Sequence, residues 1–181
     1  MSILQLRIIS GGQTGVDRAA LDAAMDIGVP VGGWCPKGRR AADGVIDARY
    51  PLIETDTQRY ERRTELNVRD AAATLLLASA LPLTGGTALT CDVAKQYGKP
   101  WRIVLLAMDA PANSVAVRPE DAPSEVAAWL RELDVTVLNI AGPRESNAPG
   151  IHHHARIWIL ELLHVLARDA ARRENSDTST E

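Results

Sequence analysis

Apolar residues fall into two patterns along this chain. Continuous short runs at Leu4–Ile9, Ala72–Ala78, Trp101–Leu106 and Val135–Ile140 alternate with longer stretches where apolar positions recur every three or four residues. Continuous runs predict strands covered on both faces, as in a parallel sheet. The periodic stretches predict helices. Over Val16–Ile27, Ala19, Ala20, Ala23, Ala24 and Ile27 share one stripe, Asp22 and Asp26 lie opposite, and Gly28 stops the helix. A second helix covers about Ala88–Tyr97, ended by Gly98 and Pro100. A third is capped by Ser124, with Glu125 in its first turn, and runs to Leu133. The last runs from about Ile151 to Ala171. Val29–Trp34 and Pro51–Glu54 read as short extended pieces, Gln58–Asp70 as an arginine-rich surface helix or lid, and Asp109–Pro123 as a proline-rich excursion.

Strands alternating with helices define an α/β class: a doubly wound, mostly parallel open sheet with helices on both faces, Rossmann-like. Residues 1–172 are expected to form one ligand-binding domain and 173–181 a disordered tail. In such sheets ligands bind outside the carboxyl ends of the strands. Four loops follow strands here, at Gly11-Gly12, Cys35–Gly44, Gly85-Gly86-Thr87 and Gly142–Ser146, so they are expected to converge on one composite site.

The first of these is the most pointed. In Ser10-Gly11-Gly12-Gln13-Thr14-Gly15-Val16-Asp17-Arg18 a strand stops at paired glycines and a helix begins at once. Glycines let backbone approach an anion, and the following helix offers unpaired N–H groups. The spacing is neither G-x-G-x-x-G nor a Walker loop. Phosphate binding therefore stands beside the plainer reading, a turn that only joins strand to helix.

Composition narrows the partners. A net charge of −3, from 20 basic and 23 acidic residues, gives no bulk attraction to nucleic acid or an anionic membrane, and no apolar run reaches the roughly 20 residues of a membrane span. Cys35 and Cys91 lack CxxC spacing and follow no signal-peptide pattern, which predicts reduced thiols in a cytoplasmic protein. Cys35 reads first as a small buried residue and second as a thiolate ligand. Any anion site must be local, and Lys37, Arg39, Arg40 and Arg144 are the candidate clamps, with solvated surface charge as the plain alternative. Arg18 is a further candidate for facing ligand. Asp17 either complements the helix dipole or bonds a loop. His152-His153-His154 does not read as a metal site, because consecutive helical residues point about 100° apart; the run reads as a solvated helix start.

Together, Ser10–Asp17, Gly33-Trp34-Cys35-Pro36-Lys37-Gly38-Arg39-Arg40, Gly85-Gly86-Thr87 and Gly142-Pro143-Arg144-Glu145-Ser146 resemble the molybdenum-carrier family, over about residues 6 to 165. That family is similar to the Rossmann-like SLOG superfamily, alongside lysine-decarboxylase-like molybdenum-cofactor carriers and nucleotide phosphoribohydrolases. The resemblance implies a nucleotide or pterin-phosphate ligand, with the molybdenum cofactor or a nucleotide as the bound cofactor. The phosphoribohydrolase signature ends in a catalytic glutamate. Here Thr90 stands at that place, and a hydroxyl cannot handle a proton as a carboxylate does.

The resulting expectation is a binding protein for an anionic, phosphate-bearing cofactor or nucleotide, with molybdate or molybdenum cofactor as the cargo that the resemblance implies. Its expected contacts are Gly11, Gly12, Gln13, Thr14, Gly15, Arg18, Lys37, Arg39, Arg40, Gly85, Gly86, Thr87, Arg144 and Ser146, with no metal ligand and no catalytic residue. A nucleotide-processing enzyme, with a carboxylate from Asp17, Glu54, Asp92 or Glu145, and a nucleotide sensor are the alternatives. A homo-oligomer, a dimer or higher, is also expected, because Ile157, Leu160 and Val165 leave the last helix apolar nearly all round.

Overall fold

The computed structural model describes residues 5–111 and 116–177. Its elements run β1 Arg7–Ile9, α1 Val16–Asp26, β2 Val31–Gly32, β3 Trp34–Cys35, β4 Arg40–Ala41, β5 Gly44–Val45, β6 Ile53–Glu54, α2 Tyr60–Asp70, β7 Ala73–Ala78, α3 Gly85–Gln96, β8 Trp101–Leu105, α4 Pro123–Glu132, β9 Val137–Ala141 and α5 Ile151–Asp177. Five strands form one sheet in the order β2-β1-β9-β7-β8, and every pairing in it is parallel. The last strand in the chain is thus inserted between the first and the third of the sheet. That insertion puts the ends of β1, β9 and β7 side by side.

Alternation along β7 and β9 sorts the helices. Leu75, Leu77, Leu138 and Ile140 face a core built with α1, α4 and α5, whereas Leu76 and Ala141 face a smaller cluster with Cys91 of α3. β7 is buried at all six positions, as a strand covered on both faces must be. The alanines of α1 are fully buried, which lets α1 and α5 pack closely. Trp158 anchors α5: it is fully buried and donates from Nε1 to the Asp121 carbonyl at 3.1 Å.

Several boundaries differ from the sequence reading for local reasons. Gly85-Gly86-Thr87 is the first turn of α3 and not a loop before it. Ser124 does not cap α4; Ala122 holds that place and Pro123 opens the helix, where its missing N–H costs nothing. Val29–Trp34 divides into β2 and β3, with Gly33 at φ 123° turning the chain out of the main sheet. β3 then pairs in parallel with β6, and β4 with β5 as a hairpin. The cation-rich loop has a core of its own, made by Leu21, Cys35, Ile46, Tyr50 and Leu52. Cys35 is fully buried there, and burial pushes its thiol up despite the nearby Arg39 charge. Residues 112–115 of the proline-rich excursion and 178–181 of the expected tail lie outside the described residues, while α5 continues past Ala171 to Asp177.

α5 keeps Ile157 only partly buried. α1 and α4 flank the helix, and Leu160 and Val165, two of the residues expected to need a second copy, are half-buried against the main core. The histidine run is solvated only in part, with His153 exposed. His154 is buried and His152 Nε2 lies 3.0 Å from Asp22 Oδ2 of α1. Burial pushes the Asp22 carboxyl up, but hydrogen bonds from His152 and Tyr50 and the Arg49 charge outweigh it and hold it below the usual carboxylate range. The folded state therefore keeps Asp22 ionised to lower pH than the unfolded chain, whose carboxyl titrates near ~3.9. Its contribution is complete above that value and is lost as pH falls through the folded one. Asp22→Asn should cost about 1 kcal/mol in urea denaturation at neutral pH, with the gap to wild type closing in acid. An equal gap at both ends of the series would refute this account of Asp22.

Among the described residues no helix is long and apolar enough to cross a membrane.

Candidate functional site

The carboxyl ends of β1, β7 and β9 open into one cleft of about 660 Å³. The turn after β1 and the start of α1 supply Gln13 and Asp17, the segment after β7 with α3 supplies Ser79 to Thr90, and the loop after β9 supplies Gly142, Pro143, Arg144 and Asn147. α2 forms the remaining wall through Tyr60, Glu61, Arg63 and Thr64. The volume suits a mononucleotide-sized ligand and greatly exceeds a single tetrahedral anion.

Gly15 holds two of these walls together. It caps α1 at φ 84°, and a Cβ there would stand 2.3 Å from the Pro143 carbonyl and 2.7 Å from the Glu145 nitrogen. Only glycine lets the loop carrying Arg144 lie on the turn. Glu145 then caps α5, its carboxylate accepting from the N–H groups of Gly150 and His152. That carboxylate is engaged. Arg144 reaches back across the cleft mouth and stacks its guanidinium 4.8 Å from the centre of the Tyr60 ring.

On the opposite side, α3 begins without a side-chain cap on Thr84, and Gly85 and Gly86 are exposed at the cleft. Its first N–H groups present a positive helix end there. Thr90 is 4% exposed and donates its hydroxyl hydrogen to the Gly86 carbonyl at 2.8 Å.

The floor is rich in donors. Gln13 Oε1 accepts from the N–H groups of Thr14 and Ala42, which ties the turn to the β4–β5 hairpin and leaves Nε2 buried with no partner among the described residues. Arg63 Nη1 donates to Asp17 Oδ2 at 2.7 Å, and Arg63 Nε is also buried with no partner among the described residues. Asp17 is 3% exposed and accepts a second bond from the Gln13 N–H at 3.3 Å, so it bonds both its own loop and a neighbouring helix. Among the described residues no group of three or more His, Cys, Asp or Glu is placed to hold a metal ion.

The expected contacts divide between cleft and scaffold. Gln13, Gly85, Gly86, Thr87 and Arg144 line the cleft. Gly11 sits beneath Arg63, and Gly12 against Leu52 and Ile46. Arg18 donates to the Gly12 carbonyl and pairs with Asp43, holding that carboxyl below its usual range chiefly through the hydrogen bond itself. Arg39 donates to four backbone carbonyls, Arg40 to Gln58 Oε1, and Lys37 is exposed beside them; none of these four cations lines the cleft. Ser146 is exposed and bonds Asn147, which does line it.

Sequence reasoning missed Tyr60 and Arg63. A signal was present, because Tyr60, Arg63, Thr64 and Asn67 follow i, i+3, i+4, i+7 spacing and form a polar stripe. Thr64 and Asn67 are buried, and Asn67 bonds both the N–H and the carbonyl of Trp34. A helix whose inward stripe is polar packs on polar backbone or a site rather than on an apolar core.

A family model for the circularly permutated YpsA SLOG family matches residues 8–163. The chain belongs to this family. A solved member of similar shape is the crystal structure named "Putative molybdenum carrier protein" from Syntrophus aciditrophicus SB, 40% identical, with a TM-score of 0.77 over 90% of this chain and 97% of that one. No curated protein matches the chain. In the SLOG frame, the insertion of β9 between β1 and β7 places the strand-order reversal, and with it the cleft, between α1, α2 and α3.

Proposed function

We propose that this SLOG protein is a binding protein whose cleft takes an anionic, phosphate-bearing cofactor or nucleotide, with molybdenum as cargo in the form of molybdate or molybdenum cofactor. One observation carries the reading: the cleft holds buried donors that no acceptor among the described residues satisfies. Two buried N–H groups, Gln13 Nε2 and Arg63 Nε, lack partners, and the uncapped start of α3 and Arg144 add further positive ends. Each unpaired buried donor costs about 1–3 kcal/mol, which a ligand bearing several acceptor oxygens would recover. The donor set fits an oxyanion or a phosphate. It does not fit a bare metal cation, since the two carboxylates in the cleft wall, Asp17 and Glu61, are each paired with an arginine and no third His, Cys, Asp or Glu joins them among the described residues. The relative named as a molybdenum carrier supports molybdate or its cofactor as the cargo.

Native mass spectrometry of protein purified without added ligand tests this directly. A retained pterin, nucleotide or oxyanion is expected. A ligand-free protein that also fails to bind phosphate, molybdate or AMP in calorimetry would sink the reading.

The enzyme reading has one observation in its favour, the carboxylates of Asp17 and Glu61 in the cleft wall. Asp17 is already bonded to Arg63, Glu61 pairs loosely with Arg59 at 3.7 Å, and Thr90 brings no carboxylate. Nucleoside monophosphates are accordingly expected to bind without rapid loss of base. Chromatography after overnight incubation checks it: free base released at about 1 s⁻¹ or faster would establish a hydrolase instead.

A further inference from the structure

We infer that Arg63 is the anion-binding side chain at the cleft floor, positioned by Asp17, and that Gly11 is glycine in order to seat it. This rests on the reading of the cleft as an anion site and assigns the residue that does the holding. It also reverses the simplest explanation of the paired glycines, in which the anion itself lies on the turn backbone.

The backbone of Gly11 is not in the left-handed region, so any residue could adopt it. The three atoms nearest to a side chain at this position all belong to Arg63. A Cβ at Gly11 would stand 1.6 Å from Arg63 Nη1, 2.5 Å from Cζ and 2.9 Å from Cδ. The guanidinium therefore rests against the turn at Gly11, where there is no side chain to displace it. Gly12 differs, because it has φ +72° and a Cβ there would strike Leu52 and Ile46 of the second core. Replacing Gly12 would disturb packing, whereas replacing Gly11 would move one flexible side chain.

Asp17 fixes one end of the guanidinium through Nη1 and accepts from the Gln13 N–H as well. It is the one acceptor Arg63 has among the described residues, and both partners are largely buried, with side chains 12% and 3% exposed. A purely structural ion pair between such groups contributes little net stability, because removing two charges from water is costly. That role also leaves Arg63 Nε and Gln13 Nε2 unexplained, each a shielded donor with no acceptor. A tetrahedral oxyanion supplies what is missing. Its paired oxygens match the Nε and Nη2 edge of a guanidinium, while Asp17 keeps Nη1 and holds the fork in orientation.

The test is calorimetric titration of the full chain with three probes, inorganic phosphate, molybdate and AMP. Wild type is compared with Arg63→Met, Gly11→Ala and the double variant, with thermal unfolding to confirm that each is folded. Arg63→Met should weaken binding of each probe about ten- to a hundredfold, the usual range for a charged hydrogen-bonding partner. Gly11→Ala should weaken it comparably by displacing the guanidinium, and the double variant should bind no worse than Arg63→Met alone. Should Arg63→Met not fold, Arg63→Lys replaces it, keeping the charge and losing the fork, with an intermediate loss expected. A Gly11→Ala penalty that persists in full without Arg63 would put the anion on the turn backbone and overturn the inference. So would binding within twofold of wild type in Arg63→Met, which leaves the cleft reading intact. Failure of folded wild type to bind any probe would instead remove the cleft reading, and this inference with it.

Discussion

Alanine in place of Gly15 is expected to destabilise the protein by about 2–5 kcal/mol and to lower anion affinity in whatever fraction remains folded. Two costs combine. A Cβ at φ 84° disfavours the left-handed conformation by roughly 1–2 kcal/mol. The same Cβ would stand 2.3 Å from the Pro143 carbonyl and 2.7 Å from the Glu145 nitrogen, and both are backbone atoms that no rotamer change can move. Relief requires the loop after β9 to lift from α1, which adds a packing cost of about 1–3 kcal/mol. Lifting that loop also withdraws Arg144 from Tyr60 and loosens the Glu145 cap on α5. Urea denaturation with an unchanged slope would report the loss cleanly. A change below about 1 kcal/mol would mean that the loop is free to move and that Gly15 does not join the two walls.

Arg39→Met is expected to cost about 3 kcal/mol while leaving anion affinity within twofold of wild type. The guanidinium donates from Nε to the Ile46 carbonyl at 2.9 Å and from Nη1 to Leu52 at 3.2 Å. Nη2 donates to Asp47 at 2.8 Å and to Tyr50 at 2.9 Å. One side chain thereby fastens the long connection between β5 and β6, a segment with few backbone bonds of its own. Bonds to a charged donor contribute about 1.5–3 kcal/mol each when buried, and partial exposure of these reduces their sum. Methionine keeps the stem's volume and removes every donor. The connection should open and uncover Cys35, so thiol labelling of Cys35 should quicken along with the stability loss. Anion affinity that falls with Arg39 while stability holds would restore it as a clamp and contradict its structural role.

The two arginines show where sequence reasoning reaches its limit. Arg39 stands in a glycine-rich cationic loop after a strand, the setting in which an anion clamp is expected, and all three of its nitrogens are taken by carbonyls. Arg63 stands in a helix that reads as solvated surface, and it lines the cleft. Charge and loop position are local properties. Which guanidinium finds carbonyls and which finds a cleft depends on the packing of segments 46 residues apart, as between Asp17 and Arg63.

The chain's own pattern determined the α/β class, the parallel character of β1, β7, β8 and β9, the helix that follows the Gly11-Gly12 turn, and the meeting of the β1, β7 and β9 loops at one sheet edge. These follow from period and from turn chemistry, which act within a few residues and are written in order along the sequence. Only the tertiary structure decided that β9 lies between β1 and β7, that the 35–54 segment folds on its own core, and that α1 and α4 cover the flanks of α5. It likewise decided that α2 closes the cleft and that Gly11 faces an arginine. Each of these depends on which surfaces bury each other across long loops, and the same apolar stripe or the same glycine serves equally well against several partners until one of them occupies the space.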